Sequence, residues 1–479
     1  MSLLRSVSVW WLCLAIWSAL AGGLQAQSGA AASGAASLDR PPNIVIFLVD
    51  DLGWRDVGFA GSTFYLTPHI DALAQSGVRF ERAYANAPNC APSRACLMTG
   101  RWTPRHGIYT VGSSKRGKAQ NRRLIPAANR KDLPSEEVTL AEAFAAGGYV
   151  TGCFGKWHLG PDPTEHGFHV NVGGNRTGSP GGGYFAPWKN PQLPPAEEGT
   201  YLTDHLTDLA IEFVREQGDQ PFLLYLSHYG VHTPIQAREE DVAPFREREP
   251  DGEQANAKYA GMIAAVDRSL GRVVATLAEC GLESDTLVVF TSDHGGHGIS
   301  TSNLPLRGSK GTLYEGGIRV PLVLSWPGRL TAGERRWAPV TQIDLLPTLC
   351  AASEVQAPVD LDGDDLWPWL TTDVELEPRS LFWHFPAYLE AYRRGGWPWR
   401  TVPVSVIQRD GLKLIENFET GELEVYDLVA DQTEAKPVKD PSLAAELHRE
   451  LQAWQRRVGA PVQFEPEPAY VEPTDGETR

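Results

Sequence analysis

A mostly parallel β-sheet flanked by helices, followed by a smaller C-terminal α+β unit with an antiparallel sheet, is the architecture this sequence predicts. Three observations predict it. Apolar runs that stop abruptly at polar residues alternate with helical patterns, the signature of an α/β fold. Carboxylates and histidines stand just after several of those runs. After "DLDGDDLWPWL" the runs become short and strand-like.

The elements follow in order. "NIVIFLVDD" is apolar from Asn43 to Val49 and reads as a strand buried on both faces. "PHIDALAQSG" reads as a helix closed by Gly77, and "TLAEAFAAGGY" as a helix running into a glycine pair before strand-like "YVTGCFGK". "LTDHLTDLAIEFVREQ" is amphipathic, and "PFLLYLSHYG" after it is another buried strand. A long helical pattern covers Tyr259 to Leu277, and "TLVVFTSDHGG" is the next strand. Residues 41–374 then form the larger unit. Residues 375–479 form the smaller one, with strand-like "PVSVIQRDGLKLIENF" and "LEVYDL", the helix "PSLAAELHRELQAWQRRV" and a tail rich in Glu and Pro that frays.

Composition narrows the partners. The formal net charge of −16 has the wrong sign for a nucleic-acid binder. An anionic substrate must therefore be drawn in by local cations. The start, "MSLLRSVSVWWLCLAIWSALAGGLQAQSG", has Arg5, an apolar core and small residues near Ala26. Residues 1–26 read as a secretory signal, with an uncleaved anchor as the alternative, and 27–40 as a flexible leader. The expected location is secreted or periplasmic, with no stable membrane insertion after cleavage. Six cysteines occur, and Cys13 falls in the signal; the other five are Cys90, Cys96, Cys153, Cys280 and Cys350. An odd number leaves one thiol over in an exported protein.

The chemistry concentrates at strand ends. Asp50 and Asp51 follow one strand, His228 another, and Asp293 with His294 a third, at the sheet edge where α/β proteins bind ligands. Adjacent like charges repel, a strain that a divalent cation relieves. Three converging carboxylates favour Ca2+ or Mg2+, whereas His294, a nitrogen ligand, suits these ions less well. Arg94, Lys156, His158, His228 and Lys310 make a cationic set able to hold an oxyanion beside a metal. Glu315 and Arg319, four residues apart, read as a structural pair. Asn175-Arg176-Thr177 matches a glycosylation sequon. "CAPSRACLMTG" reads as a helix start at which Cys90 meets a field favouring anions. Cys90 and Cys96 are too far apart for a redox pair and face different sides of a helix.

The run Cys90-Ala91-Pro92-Ser93-Arg94, continuing through Leu97 and Thr99-Gly100-Arg101, resembles the signature of the type I sulfatases, arylsulfatase-like members of the alkaline-phosphatase-like superfamily. The resemblance extends in order through "NIVIFLVDDLGWRDVG", "GKWHLG", "TSDHG", "PLRGSKGTLYEGGIRVP" and "LEVYDL". It implies a sulfuric ester hydrolase in which Cys90 is converted to 3-oxoalanine (formylglycine) by a formylglycine-generating enzyme. One hydroxyl of the hydrated aldehyde attacks sulfur and the other later expels sulfate. The resemblance also implies that Asp50, Asp51, Asp293 and His294, where many members carry Asn, bind one Ca2+ with modified Cys90, in preference to Mg2+. Arg94 and Lys156 would hold the formylglycine and the sulfate charge, and His158 would support the nucleophile. His228 and Lys310 would bind sulfate and assist the leaving oxygen.

For the pocket rim the candidates are His232, His297, His384 and Tyr388. "FWHFPAYLEAYRRGGWPW" offers aromatic faces for sugars and Arg for a second anion. A sulfated small molecule or carbohydrate is the expected substrate. The alternative is a phosphonate or phosphate monoester hydrolase of the same superfamily; a non-enzymatic binding protein is disfavoured by the full set of site residues.

Overall fold

The computed structural model describes residues 40–392 and 397–472. The expected signal, the leader before Arg40 and the end of the acidic tail lie outside the described residues; the described part of the tail is not frayed as expected, because Ile125 N–H donates to Glu465 and Arg122 pairs with Glu467 at 3.1 Å.

The sheet is built outward from β1 (Asn43–Val49), whose seven residues are all buried. Further along the chain come α1 (Pro68–Ser76), β2 (Val78–Phe80), α2 (Cys90–Thr99), α3 (Leu140–Ala146), β3 (Val150–Gly155) and β4 (Val170–Val172). Then follow α4 (Leu202–Glu216), β5 (Phe222–Ser227), α5 (Ala257–Glu279), β6 (Thr286–Ser292), β7 (Leu322–Ser325) and β8 (Glu334–Arg336). The eight strands lie in the order β8-β2-β7-β6-β1-β5-β3-β4. β1 runs parallel to β5 and β6, and β3 parallel to β5 and β4. Only β7 runs against its neighbours β2 and β6.

Helical periodicity explains the layer over one face. α4 buries Leu202, Leu206, Ala210, Phe213 and Val214, and α5 buries Ile263, Val266, Leu270, Val273 and Leu277. Both stripes belong to the core cluster that contains Val45, Phe47 and Val49, alternate residues that share one face of β1. α3 starts at a capping box, in which the Thr139 hydroxyl accepts from the Glu142 N–H and Glu142 returns the bond.

Beyond Leu381 an antiparallel sheet takes over. It runs β9 (Leu381–Phe385), β10 (Val404–Arg409), β11 (Leu412–Asn417), β12 (Leu423–Asp427), in that order, and α6 (Pro441–Val458) covers it. Period-two alternation sends Phe382, Ile407, Leu414 and Val425 against Leu447, Leu451 and Trp454 of α6. Phe382 stacks on Trp454 with ring centroids 4.8 Å apart. The other face, Trp383, Val406, Ile415 and Tyr426, packs on Tyr84, Leu313 and Ile318. The residues from Arg40 onward cluster as one unit, so this small sheet is fused to the larger part through a shared core. No helix among the described residues is long and apolar enough to cross a membrane.

Candidate active site

Four neighbouring strands, β6, β1, β5 and β3, end at the same edge of the sheet and deliver polar residues there. β1 delivers Asp50 and Asp51, the latter turned out of the strand with φ of 63°. β6 delivers Asp293 and His294, and β3 delivers Lys156 and then His158, which also has positive φ. The loop after β5 is tied to β1 by Asp50 N–H donating to Gly230 and Val231 N–H to Asp50. That loop presents His232. α2 brings Cys90 in as its first residue, and the Ser93 hydroxyl anchors the helix by donating to the Asp293 carbonyl and to Gln342.

The side chains converge. The Cys90 Sγ lies 3.3 Å from His294 Nε2. His294 Nε2 also lies 3.2 Å from Asp51 Oδ1 and 3.3 Å from Asp293 Oδ1. Its Nδ1 donates to the Gly295 carbonyl at 2.9 Å, which turns the other nitrogen toward these groups. Arg94, fully buried, donates to Asp293 at 3.0 Å and to the Lys156 carbonyl at 2.9 Å. Lys156 Nζ donates to Asp50, and Lys310 Nζ to Asp51 at 2.5 Å.

The electrostatics follow from this packing. Burial would raise the Cys90 thiol, yet Lys156, Lys310 and His294 outweigh it and hold the group well below the usual thiol range. Burial raises Asp50, helped by Asp293 and Cys90 and opposed by Lys156. Asp51 is also buried, but Lys310, His232 and His294 prevail and lower it. His158 is pushed down to about 4 by burial.

A divalent cation fits this donor set. Asp50 Oδ1 and Asp51 Oδ2 are buried without a hydrogen-bond donor. One ligand atom each from Asp50, Cys90, Asp293 and His294 lies within 4.8 Å of the others. Oxygens about 2.3–2.6 Å from a calcium ion are separated by at most about 5 Å, so these groups match one ion. Asp51, Cys90 and His232 make a second such group.

Of the residues expected from sequence, Asp50, Asp51, Cys90, Arg94, Lys156, His158, Asp293, His294 and Lys310 come together. His228 does not. Its ring lies 5.1 Å from Phe47, on the face covered by α4 and α5, and its Nε2 meets the Ser269 hydroxyl of α5 at 2.8 Å. His232 is the histidine at the site, its Nδ1 donating to the Thr233 carbonyl and its Nε2 3.9 Å from Asp51. His297 packs edge-on against Tyr392, with ring centroids 4.8 Å apart, and does not line the cavity above Cys90.

His384 and Tyr388 are corrections to the expected rim. His384 is buried on β9 and bonded at 2.6 Å to Ser405, its partner in register on β10. Tyr388 is fully buried, with its hydroxyl bonded to Glu419 and to the Leu124 N–H. Glu315 and Arg319 pair at 3.1 Å. All five described cysteines are free thiols, and Cys96 meets His106 instead of Cys90.

Sequence reasoning missed several residues that line the cavity above Cys90: Asn89, Arg116, Gly178, Ser179 and Arg400. They come from loops and a strand end far apart in the chain, and no spacing marks them. Gly178 leaves room for the His158 ring, since a Cβ there would sit 2.5 Å from its Cε1.

The model of the Sulfatase family matches residues 42–355, and that of the N-sulphoglucosamine sulphohydrolase C-terminal region matches residues 309–458. A sulfatase of Formosa agariphila is 30% identical, covering 88% of this chain and 90% of its own. Human arylsulfatase A is 34% identical over 74% of this chain and 72% of its own. The solved structure of Ps i-CgsB in complex with k-i-k-neocarrahexaose is 30% identical, covers 88% of this chain and 98% of its own, and superposes with a TM-score of 0.71.

Proposed function

The chain belongs to the sulfatase family and is a sulfuric ester hydrolase, and from that premise we propose that it removes sulfate from a carbohydrate, using formylglycine made from Cys90 and a bound Ca2+. One observation carries this reading. Cys90 opens a helix beside three buried carboxylates, two of them with undonated oxygens, inside a ring of Arg94, Lys156, His158 and Lys310. Asp50, Asp51, Asp293 and His294 would hold the cation. Once bound, these groups would supply polarisation of a sulfate oxygen and a hydroxyl nucleophile.

The chain's own residues do the rest. Arg94 and Lys156 fix the orientation of Asp293 and Asp50 and balance their charge. His158 is a neutral imidazole beside Cys90, in the right state to take the proton of the attacking group. Lys310, whose ammonium Asp51 and Cys90 keep protonated against the cost of burial, holds charge facing the ester. His232 replaces His228 as the candidate acid. Its Nε2 faces the site, and an anionic ester bound there favours its protonated form, which then donates to the leaving oxygen.

A carbohydrate is supported by the oligosaccharide bound in Ps i-CgsB and by a cavity lined largely by polar side chains. Residues 1–26 support export to the periplasm or exterior, with a formylglycine-generating enzyme as the partner in maturation.

The test has two parts. Protein from its native host should release sulfate from 4-nitrophenyl sulfate faster than it cleaves a phenyl phosphonate monoester. Its Cys90 peptide should weigh about 18 Da less than the cysteine form. A preference for the phosphonate, or full activity in Cys90→Ala, overturns the reading.

A further inference from the structure

The cavity above Cys90, about 290 Å³, carries more positive charge than one sulfate and one cation site need. Its lining contains Arg116, Lys310 and Arg400 and no carboxylate. Lys310 is accounted for, because its ammonium is bonded to Asp51. The two guanidiniums are not. Arg116 donates to the Val111 carbonyl at 2.8 Å, and neither arginine forms an ion pair with a described carboxylate. Arg400 sits over the ring of Tyr392, its Cζ 3.9 Å from the ring centroid, and its Nε is buried without a hydrogen-bond acceptor. The backbone around it is tight: a Cβ on Gly311 would stand 2.7 Å from that Nε. Thr401, the next residue, donates from its hydroxyl to the Gly311 carbonyl. Arg400 is thus held by packing beside the Lys310 loop, with unused donor capacity. By contrast, Arg379 meets Asp344 and Arg94 meets Asp293.

We propose that Arg116 and Arg400 form a second-anion subsite, so that the preferred substrate is a sulfate ester whose sugar carries another sulfate or a carboxylate. The proposal rests on the reading that the Cys90 end of the cavity takes the scissile sulfate. A planar guanidinium offers paired N–H donors that match the oxygens of either anion. A lysine supplies the charge without that fork. The aromatic face of Tyr392 sets the plane of Arg400 in advance, which lowers the ordering cost of binding.

The experiment is binding calorimetry on Cys90→Ala protein with calcium present, so that no turnover intervenes. The probes are galactose 6-sulfate and its 2,6-, 3,6- and 4,6-disulfates. At least one disulfate is expected to bind roughly tenfold tighter than the monosulfate, the size of effect a charged hydrogen-bonded pair produces. Adding Arg400→Met or Arg116→Met should shrink that ratio toward one while monosulfate affinity stays within about twofold, and Arg400→Lys should keep part of it. If no disulfate gains over the monosulfate, or if either Met variant weakens all probes equally, the subsite is overturned. Wild-type turnover of 4-nitrophenyl sulfate separates the two readings. Sulfate release with a binding ratio near one leaves hydrolysis standing and the subsite fallen. A high ratio with no release leaves the subsite standing and hydrolysis fallen.

Discussion

His228 and His232 are four residues apart, yet of the two only His232 lines the cavity above Cys90. We expect His232→Ala to lower kcat by about 10² to 10³, the usual cost of losing a proton donor or a charge-stabilising group. His228→Ala should leave kcat within about threefold and cost about 1–3 kcal/mol of stability, because the Ser269 hydroxyl loses one of its two buried partners and keeps only Thr207. Steady-state kinetics and denaturant melts of both variants check this. The carboxylates, Cys90, Arg94 and Lys156 were legible because each stands at a fixed offset from a strand end or a helix start, and Lys310 because its glycine-rich loop is a motif. The histidines were not. Which of His228 and His232 faces the crevice depends on how the chain turns after Ser227, and a turn leaves no periodic trace. His384 fails for another reason: its place on β9 is set by pairing with Ser405, and that register is a long-range fact.

Elements buried on both faces announce themselves as unbroken apolar runs, which is why β1, β5 and β6 were readable. The three-residue strands β2 and β8 and the antiparallel β7 were not, since so short a segment is fixed by its neighbours and not by its own pattern. The loop that carries Lys310 was readable as a motif but not as a joint. It ends at Glu315, a fully buried carboxylate bonded to Lys413 of β11 at 3.1 Å and to Arg319. Lys413 also binds Glu434 at 2.8 Å, and Glu434 accepts from the Glu315 N–H. Lys413→Met should therefore leave two buried carboxylates facing each other without their shared cation. A loss of about 3–5 kcal/mol is expected, with activity falling as the Lys310 loop loosens. Urea melts read the first effect and kcat the second.

At the scale of the whole molecule, buried histidines set the acid limit. His106, His228 and His384 are each pushed down to about 3 by burial. As pH falls below about 6.5, the unfolded chain binds protons that the folded one refuses until about pH 3. Stability is therefore lost across that window, by up to about 1.4 kcal/mol per pH unit for each group. Tm should drop steeply between about pH 7 and pH 4.5, and His384→Gln should flatten the drop.

The same long view applies to the joint between the two sheets. Chain order puts a seam near residue 374, where no regular element lies between Thr372 and Ser380. Contacts put it elsewhere, because Lys310 depends on Glu315, and Glu315 depends on Lys413 and Glu434. The second family match begins at residue 309, one position before Lys310. For recombination between relatives, then, the unit that travels intact starts at that loop. A crossover at the seam would separate the Lys310 ammonium from the buried groups that hold its loop, while one just before Ser309 would move both together.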